Sequence, residues 1–433
     1  MPTFVGGIHP PEKKELSQER KITPLKAPAR VVIPLRQHLG APAKAAVAIG
    51  DEVKIGTLIG TPEGFVSAPV HASVSGKVIA LGEFPTAMGR PTEAIVIEND
   101  GKEEWEPLKE APDPMGLTPE EIKEKIKAAG IVGMGGAAFP TFVKLSPPKE
   151  KPIDVIILNG AECEPYLTAD HRLMVEKPAE IVTGLLLIMK ALGVKKGMIG
   201  IEDNKPDAVE AMKKASARYP EIEVCVPHVK YPQGAEKMLI KAATGREVPP
   251  RALPMDVGVV VQNIGTTYAI YEAVRFGKPV IERVTTVTGE GIREPNNYLV
   301  RIGTLVSELI AASGGMRNGT GKVISGGPMM GFAISSLDVP VTKGTSGILV
   351  LPEEGIFHAD DYKPCIRCSR CVDVCPMQLQ PGLLSVLVEK GHYEDAKANN
   401  LFDCFECGSC AYVCPSKRPI VQLVRLGKSM VKP

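Results

Sequence analysis

Eight cysteines near the C-terminus have a spacing that points to a definite chemistry. One run reads Cys365-Ile366-Arg367-Cys368-Ser369-Arg370-Cys371-Val372-Asp373-Val374-Cys375-Pro376, and its pattern returns as Cys404, Cys407, Cys410 and Cys414-Pro415. Closely spaced thiolates can wrap one cube of iron and sulfide, while the fourth cysteine of each run sits too far along the turn and reaches the neighbouring cube. The spacing therefore assigns one [4Fe–4S] cluster to Cys365, Cys368, Cys371 and Cys414. A second falls to Cys404, Cys407, Cys410 and Cys375. Such clusters carry electrons one at a time.

Two other uses of cysteine fit less well. A disulfide framework suits small secreted chains, and this long chain shows no secretory signal. Structural zinc takes paired C-x2-C motifs, which leaves the third cysteine of each run and the Cys-Pro endings unexplained. The run is that of bacterial two-cluster ferredoxins, but the segment 376–403 between its two copies reads as helical. The spacing thus predicts a helix-linked module in place of a compact β-rich one.

The chain has 433 residues, 51 basic and 50 acidic, a net charge of +1, and so does not indicate nucleic acid as a partner. The two remaining cysteines, Cys163 and Cys225, are isolated, as in a reducing cytosol. The longest apolar stretch, 181–194, carries Lys190 and is too short to span a bilayer. Membrane attachment would then come through partners, at the cytoplasmic face.

Several elements must position the clusters and whatever exchanges electrons with them. Residues 1–25 have no periodicity and read as an extended arm. Over 26–105 short apolar runs separated by Gly, Pro and Asp predict β-strands. Their pattern, with Gly50-Asp51-Glu52-Val53 and Ser75-Gly76-Lys77-Val78, resembles the barrel-sandwich fold of biotinyl and lipoyl carriers. The hairpin region 57–67 lacks the lysine those carriers modify, so this unit reads as a scaffold. His9, His38 and His71 are assigned no catalytic role.

After a proline-rich linker, Thr118-Pro119-Glu120-Glu121 caps a helix that stops at Gly130. The next stretch is Gly133-Met134-Gly135-Gly136-Ala137-Ala138-Phe139-Pro140-Thr141. Its glycines match a dinucleotide fingerprint literally, but that motif must follow a strand and open a helix, and here a helix precedes it. What survives is a glycine loop able to approach an anion, with Lys144 beside it, or a simple turn. Strand–helix alternation over 115–276 then implies a parallel sheet covered on both faces. Over 277–355 strands return around a Thr304-capped helix, and the turn 325–331, bearing Met329 and Met330, reads as packing between units. Residues 360–433 complete the chain with the helical two-cluster unit.

In order and spacing, Gly133 to Lys144, Asn159 to Pro165, Tyr231 to Glu236 and Gln262 to Thr266 resemble the flavin- and NADH-binding subunit of respiratory complex I. With the Gly6-Gly7-Ile8-His9-Pro10 arm, the barrel-sandwich unit and the doubled cysteine run, the whole chain is similar to the RnfC family, found in the Rnf complexes that act as ferredoxin:NAD oxidoreductases. The resemblance implies a multidomain α/β protein. Its parts would be an N-terminal β barrel-sandwich domain, a Rossmann-like FMN/NADH-binding domain, an SLBB β-grasp domain and a C-terminal helical 2[4Fe–4S] ferredoxin-like domain. It further implies that Gly133, Gly135, Gly136 and Lys144 bind the FMN phosphate, and that Asn159, Glu162, Gly234 and Glu236 lie at the flavin. Gln262, Asn263 and Thr266 would line its phosphate and ribityl side, Phe139 would stack on NADH, and Glu164 would meet the NADH ribose. Met134 stands where the complex I subunit has arginine, Ala161 where it has aspartate, and Ala138 where it has glycine.

The implied chemistry is coherent. Nicotinamide exchanges a hydride and a [4Fe–4S] cluster a single electron, and a flavin converts between the two. No general acid or base is required. By resemblance, electrons reach this chain from ferredoxin through membrane-embedded and ferredoxin-like iron–sulfur subunits, and the energy drives Na⁺ or H⁺ translocation elsewhere in the complex. A cobalamin reductase of metabolic microcompartments shares the same parts, and a flavin-free relay protein would share only the clusters.

Overall fold

Apolar residues run almost unbroken through Val155–Asn159, Lys196–Gly200 and Val259–Asn263, as strands buried on both faces require. With Ile222–Cys225 they pair in parallel, in the order Ile222–Cys225, Lys196–Gly200, Val155–Asn159, Val259–Asn263. Alternate side chains enter opposite cores. Ile156, Leu158, Ile199 and Val260 pack against helices Pro119–Ala128, Pro178–Leu192 and Ile264–Phe276. Val155, Ile157, Met198, Val259 and Val261 pack against Leu239 and Ile240 of helix Glu236–Thr244. Each carboxyl end therefore opens onto a loop at one edge of the sheet, where open α/β sheets bind their ligands. The expected cap is present: Thr118 Oγ1 accepts from Glu121 N while the Glu121 carboxylate accepts from Thr118 N, a reciprocal pair contributing about 1 kcal/mol.

The computed structural model describes residues 3–354, 356 and 361–432. The expected boundaries at 355 and 360, residues 1 and 2 of the arm, and residue 433 lie outside the described residues.

Two small sheets build the N-terminal unit. Arg30–Pro34, Thr92–Asn99, Gly76–Phe84 and Glu52–Val53 form one, and Lys44–Ala45, Leu58–Thr61 and Val70–His71 the other, closing over Val31, Ile33, Ile59, Val78, Ile95 and Ile97. At the hairpin where a carrier would display its lysine, Phe65 instead meets Phe142 of the α/β unit edge-to-face, with ring centroids 5.4 Å apart. Beyond the α/β unit lies a six-stranded sheet whose inner strands are Asn296–Arg301, Glu282–Thr288, Gly347–Pro352 and Thr320–Ser325. Helices Pro381–Glu389 and Ile420–Met430 pack through Leu384, Val388, Ile420 and Val424 to form the C-terminal module.

The arm is a strap. Ile22–Pro24 adds to the edge of the six-stranded sheet, parallel to Asn297 and its neighbours. Lys14 is buried, and its Nζ donates to the carbonyls of Glu162, Glu164 and Leu167 at 2.8, 3.0 and 2.6 Å. Ile8 pairs with Tyr231, and Gly7 N donates to Val374 O at 2.9 Å. Residues without any local periodicity thus join three folded units, because the strap's partners lie on other parts of the chain.

Candidate functional site

The glycine loop turns sharply between helix Pro119–Ala128 and the short helix Thr141–Lys144. Gly133 N donates to Phe139 O at 2.9 Å and Val132 bridges Pro140. Gly135 and Gly136 are exposed at its crest. A Cβ on Gly135 would come within 2.5 Å of Asn263 Nδ2, and at Gly136 it would meet nothing. From the facing helix Ile264–Phe276, Thr266 Oγ1 accepts from Met134 N at 2.9 Å, and Asn263 caps that helix by accepting from Thr266 N at 3.1 Å. Gln262 is 2 % exposed, yet its Nε2 finds no partner among the described residues, nor does Thr141 Oγ1. Buried donors are rarely left unpaired, so an exposed glycine crest above two orphaned polar atoms fits a bound phosphate-bearing cofactor.

The other predicted residues converge on the same edge. Lys144 Nζ bonds Glu236 Oε1 at 2.7 Å and Val261 O at 2.9 Å. Asn159 Nδ2 donates to Gly234 O at 2.8 Å. Half-buried Phe139 closes the loop's far side. Glu162 is turned toward the protein: its carboxylate accepts from Asp170 N and His171 N at 2.8 and 3.1 Å, at the start of helix Ala169–Glu176. Glu164 likewise accepts from Met330 N at 2.8 Å and Met329 N at 3.1 Å, holding the 325–331 turn. Burial pushes its carboxyl up to about 7, opposed by those two N–H groups. A Cβ on Gly327 would collide with that carboxylate, which explains glycine there.

One contributor escaped the sequence reading. Arg283, buried on strand Glu282–Thr288, donates to Met134 O at 3.1 Å and Lys343 O at 2.6 Å, directly behind the glycine loop. Asp170 and Glu162 lie close enough to favour its charge, although burial pulls its pKa down to about 10. Position 134 lacks the arginine of the complex I subunit, and Arg283 brings a cation to the same loop from the next unit. No spacing signal links residues so far apart.

In the C-terminal module Cys375, Cys404, Cys407 and Cys410 line one cavity, walled by Pro376, Leu384, Ile420 and Val424. Cys375 belongs to the first run by sequence and joins the second in space. Burial pushes the Cys371 thiol up, with Cys365 and Cys414 nearby; Cys368 lies exposed. Among the described residues no three His, Cys, Asp or Glu side chains gather around a single ion. Four thiols around one cavity fit a cluster. Leu379 N and Glu406 N point at Cys375 Sγ and Cys404 Sγ, each at 3.4 Å, bonds that favour thiolate.

The two centres meet. Tyr231 is buried, and its Oη donates to Cys407 O at 2.6 Å. Ile8, Tyr231 and Cys407 form one apolar cluster with Cys163, Met329 and Phe405 around them. The cavity holding Cys375 and Cys407 therefore abuts the 231–234 loop, whose Gly234 receives Asn159. Of the Cys365 group, Cys368 is exposed and Cys365, Cys371 and Cys414 are partly exposed.

Comparison with known proteins agrees with this division. Residues 2–102 match the RnfC barrel sandwich hybrid domain, 126–272 the Nuo51 FMN-binding domain, 284–333 the SLBB domain and 358–417 the 4Fe-4S dicluster domain. The chain is 52 % identical over 429 residues to the RnfC-type component of the proton-translocating ferredoxin:NAD(+) oxidoreductase complex of Clostridium ljungdahlii, covering 99 % of this chain and 93 % of that one. It is 49 % identical over 427 residues to the counterpart in the Na(+)-translocating complex of Acetobacterium woodii, covering 98 % and 96 %. In fold it is similar to an NAD+-reducing [NiFe]-hydrogenase, with a TM-score of 0.51 at 18 % identity over 75 % of this chain and 66 % of that one. The chain belongs to the RnfC family of the ion-translocating ferredoxin:NAD(+) oxidoreductase complexes.

Proposed function

We infer that this chain is the NAD(H)-binding electron-transfer subunit of a ferredoxin:NAD⁺ oxidoreductase complex that couples electron flow to ion translocation, and that its partners are the other subunits of that complex. The observation that carries this reading is the seam at Tyr231 and Cys407, which sets a cysteine-lined cavity against the edge of a flavin-binding fold. Bound FMN exchanges a hydride with nicotinamide and single electrons with a cluster.

The chain's own part is binding and placement. Gly133, Gly135, Gly136 and Lys144 hold the phosphate, with Gln262, Asn263 and Thr266 beneath it; the orphaned Gln262 Nε2 supports this. Asn159, Glu162, Gly234 and Glu236 form the wall toward the clusters. Phe139 and Glu164 serve the nicotinamide nucleotide. Glu164 would have to release Met329 and Met330 to do so. Cys365, Cys368, Cys371 and Cys414 hold the outer cluster, and Cys375, Cys404, Cys407 and Cys410 the inner one, next to the flavin. We take the units as 1–25, 26–105, 115–276, 277–355 and 360–433. No helix among the described residues is long and apolar enough to cross a membrane. Partners would therefore hold the protein at the cytoplasmic face.

Anaerobic reconstitution with iron, sulfide and FMN tests this. Retention of about one FMN per chain, with NADH bleaching first flavin and then cluster absorbance, is the expected result. Clusters that assemble without retained FMN, and that NADH leaves oxidised, would reduce the chain to a relay.

A further inference from the structure

The inner cluster is enclosed: flavin unit, strap and helices cover Cys375, Cys407 and Cys410, all buried. Electrons that enter or leave by another protein must use the outer cluster, whose rim combines exposed apolar residues with cations. Cys368 is exposed. Ile366 is 67 % and Tyr412 52 % exposed, and Val372 and Leu383 are exposed beside the same cysteines. Between Lys363 and Val372 every charged side chain is a cation: Lys363, Arg367 and Arg370. All three are exposed, and none makes an ion pair or side-chain hydrogen bond among the described residues. Elsewhere in the module Arg418 is paired with Glu389, and both Arg425 and Lys428 with Glu406. The chain as a whole is balanced at +1, so this is a local excess of unpaired positive charge around an apolar, redox-active tip. Asp373 is the exposed carboxylate that follows.

We propose that this rim docks the acidic surface of a partner protein that carries a one-electron centre, with Ile366 and Tyr412 as apolar anchors and Lys363, Arg367 and Arg370 as the charged ring. Desolvated aromatic and apolar anchors inside a complementary charged rim are the usual form of such contacts. Transfer across it moves one electron from the partner's reduced centre to the oxidised outer cluster; no bond forms and no proton moves. A bilayer could meet the same cations, but it neither accepts nor supplies an electron. The inference rests on the electron-transfer reading above.

The test uses the full holo-chain and membranes that carry the remaining subunits of the complex but have been stripped of this one. NADH bleaching of flavin and clusters is recorded first. If it fails in the wild type, the electron-transfer reading falls, and this inference with it. If it succeeds, rebinding is measured against salt concentration. Wild-type affinity should fall as salt rises, and the triple reversal Lys363→Glu, Arg367→Glu, Arg370→Glu should bind at least about tenfold more weakly while NADH bleaches it normally. The triple Lys363→Arg, Arg367→Lys, Arg370→Lys should rebind like wild type. Should reversal lower the iron content, Ile366→Ser, outside the ligand set, carries the same test. Rebinding unaffected by both reversal and salt, or equal wild-type binding to protein-free phosphatidylglycerol vesicles, would overturn the proposal.

Discussion

Tyr231 and Cys407, one from the flavin-binding unit and the other from the cluster module, are joined by a 2.6 Å hydrogen bond from phenol to carbonyl. Tyr231 also pairs through its backbone with Ile8 of the strap, so one residue fastens three parts of the chain at the seam between the two units.

Removing that bond should loosen the crossing without emptying either centre. Tyr231→Phe leaves the buried carbonyl of Cys407 unpaired, at a cost of roughly 1–3 kcal/mol. Iron and flavin contents should match wild type in stopped-flow samples, and flavin bleaching by NADH should keep its rate. Cluster bleaching should lag several-fold. Equal rates for both phases would show that the bond does not govern the seam.

Cross-ligation makes two cysteines informative. Cys375→Ser should empty the inner cluster although Cys375 sits in the first run, and NADH should then leave the outer cluster oxidised. Cys414→Ser should empty the outer cluster and leave the inner one reducible. EPR of NADH-treated samples separates the cases, and the reverse pattern would mean that each run ligates its own cluster.

Arg283→Met removes two donors from behind the glycine loop, to Met134 O and Lys343 O. Hydrogen bonds from a charged group contribute about 1.5–3 kcal/mol, so FMN affinity measured by fluorescence quenching should fall by roughly 10- to 100-fold. Arg283→Lys should recover part of it. A flavin affinity unchanged in Arg283→Met would make the residue a tie between units only.

Glu164 gives a pH signature. Burial raises its carboxyl from the ordinary 4.5 to about 7, so between those values the folded protein holds a proton that the unfolded chain has released. Stability from this group is therefore full below about 4.5, falls progressively as pH rises between 4.5 and 7, and levels off above 7. Asp170, also raised by burial and by Glu162, adds in the same direction. Compared with Glu164→Gln, the wild type should lose on the order of 2 kcal/mol between pH 5 and pH 7. Chemical denaturation at pH 5, 6 and 7 measures it, and parallel curves for the two proteins would refute it.

What the sequence determined by itself is local in origin. The two cysteine runs carry their cluster type in spacing alone, and the expected cross-ligation follows from the same short turn, which limits which cube each thiolate can reach. The cap at Thr118, the parallel strands and the barrel-sandwich fold of the N-terminal unit follow in the same way from neighbouring residues. Tertiary structure decided what depends on distant partners. It set the Cys375 cavity against the flavin-binding unit. It tied an aperiodic arm down through Lys14 and Ile8 and brought Arg283 behind Met134. It turned Glu162 and Glu164 toward backbone N–H groups. Each is a contact between segments far apart in the chain, where a side chain's type leaves its partner open and only packing selects it.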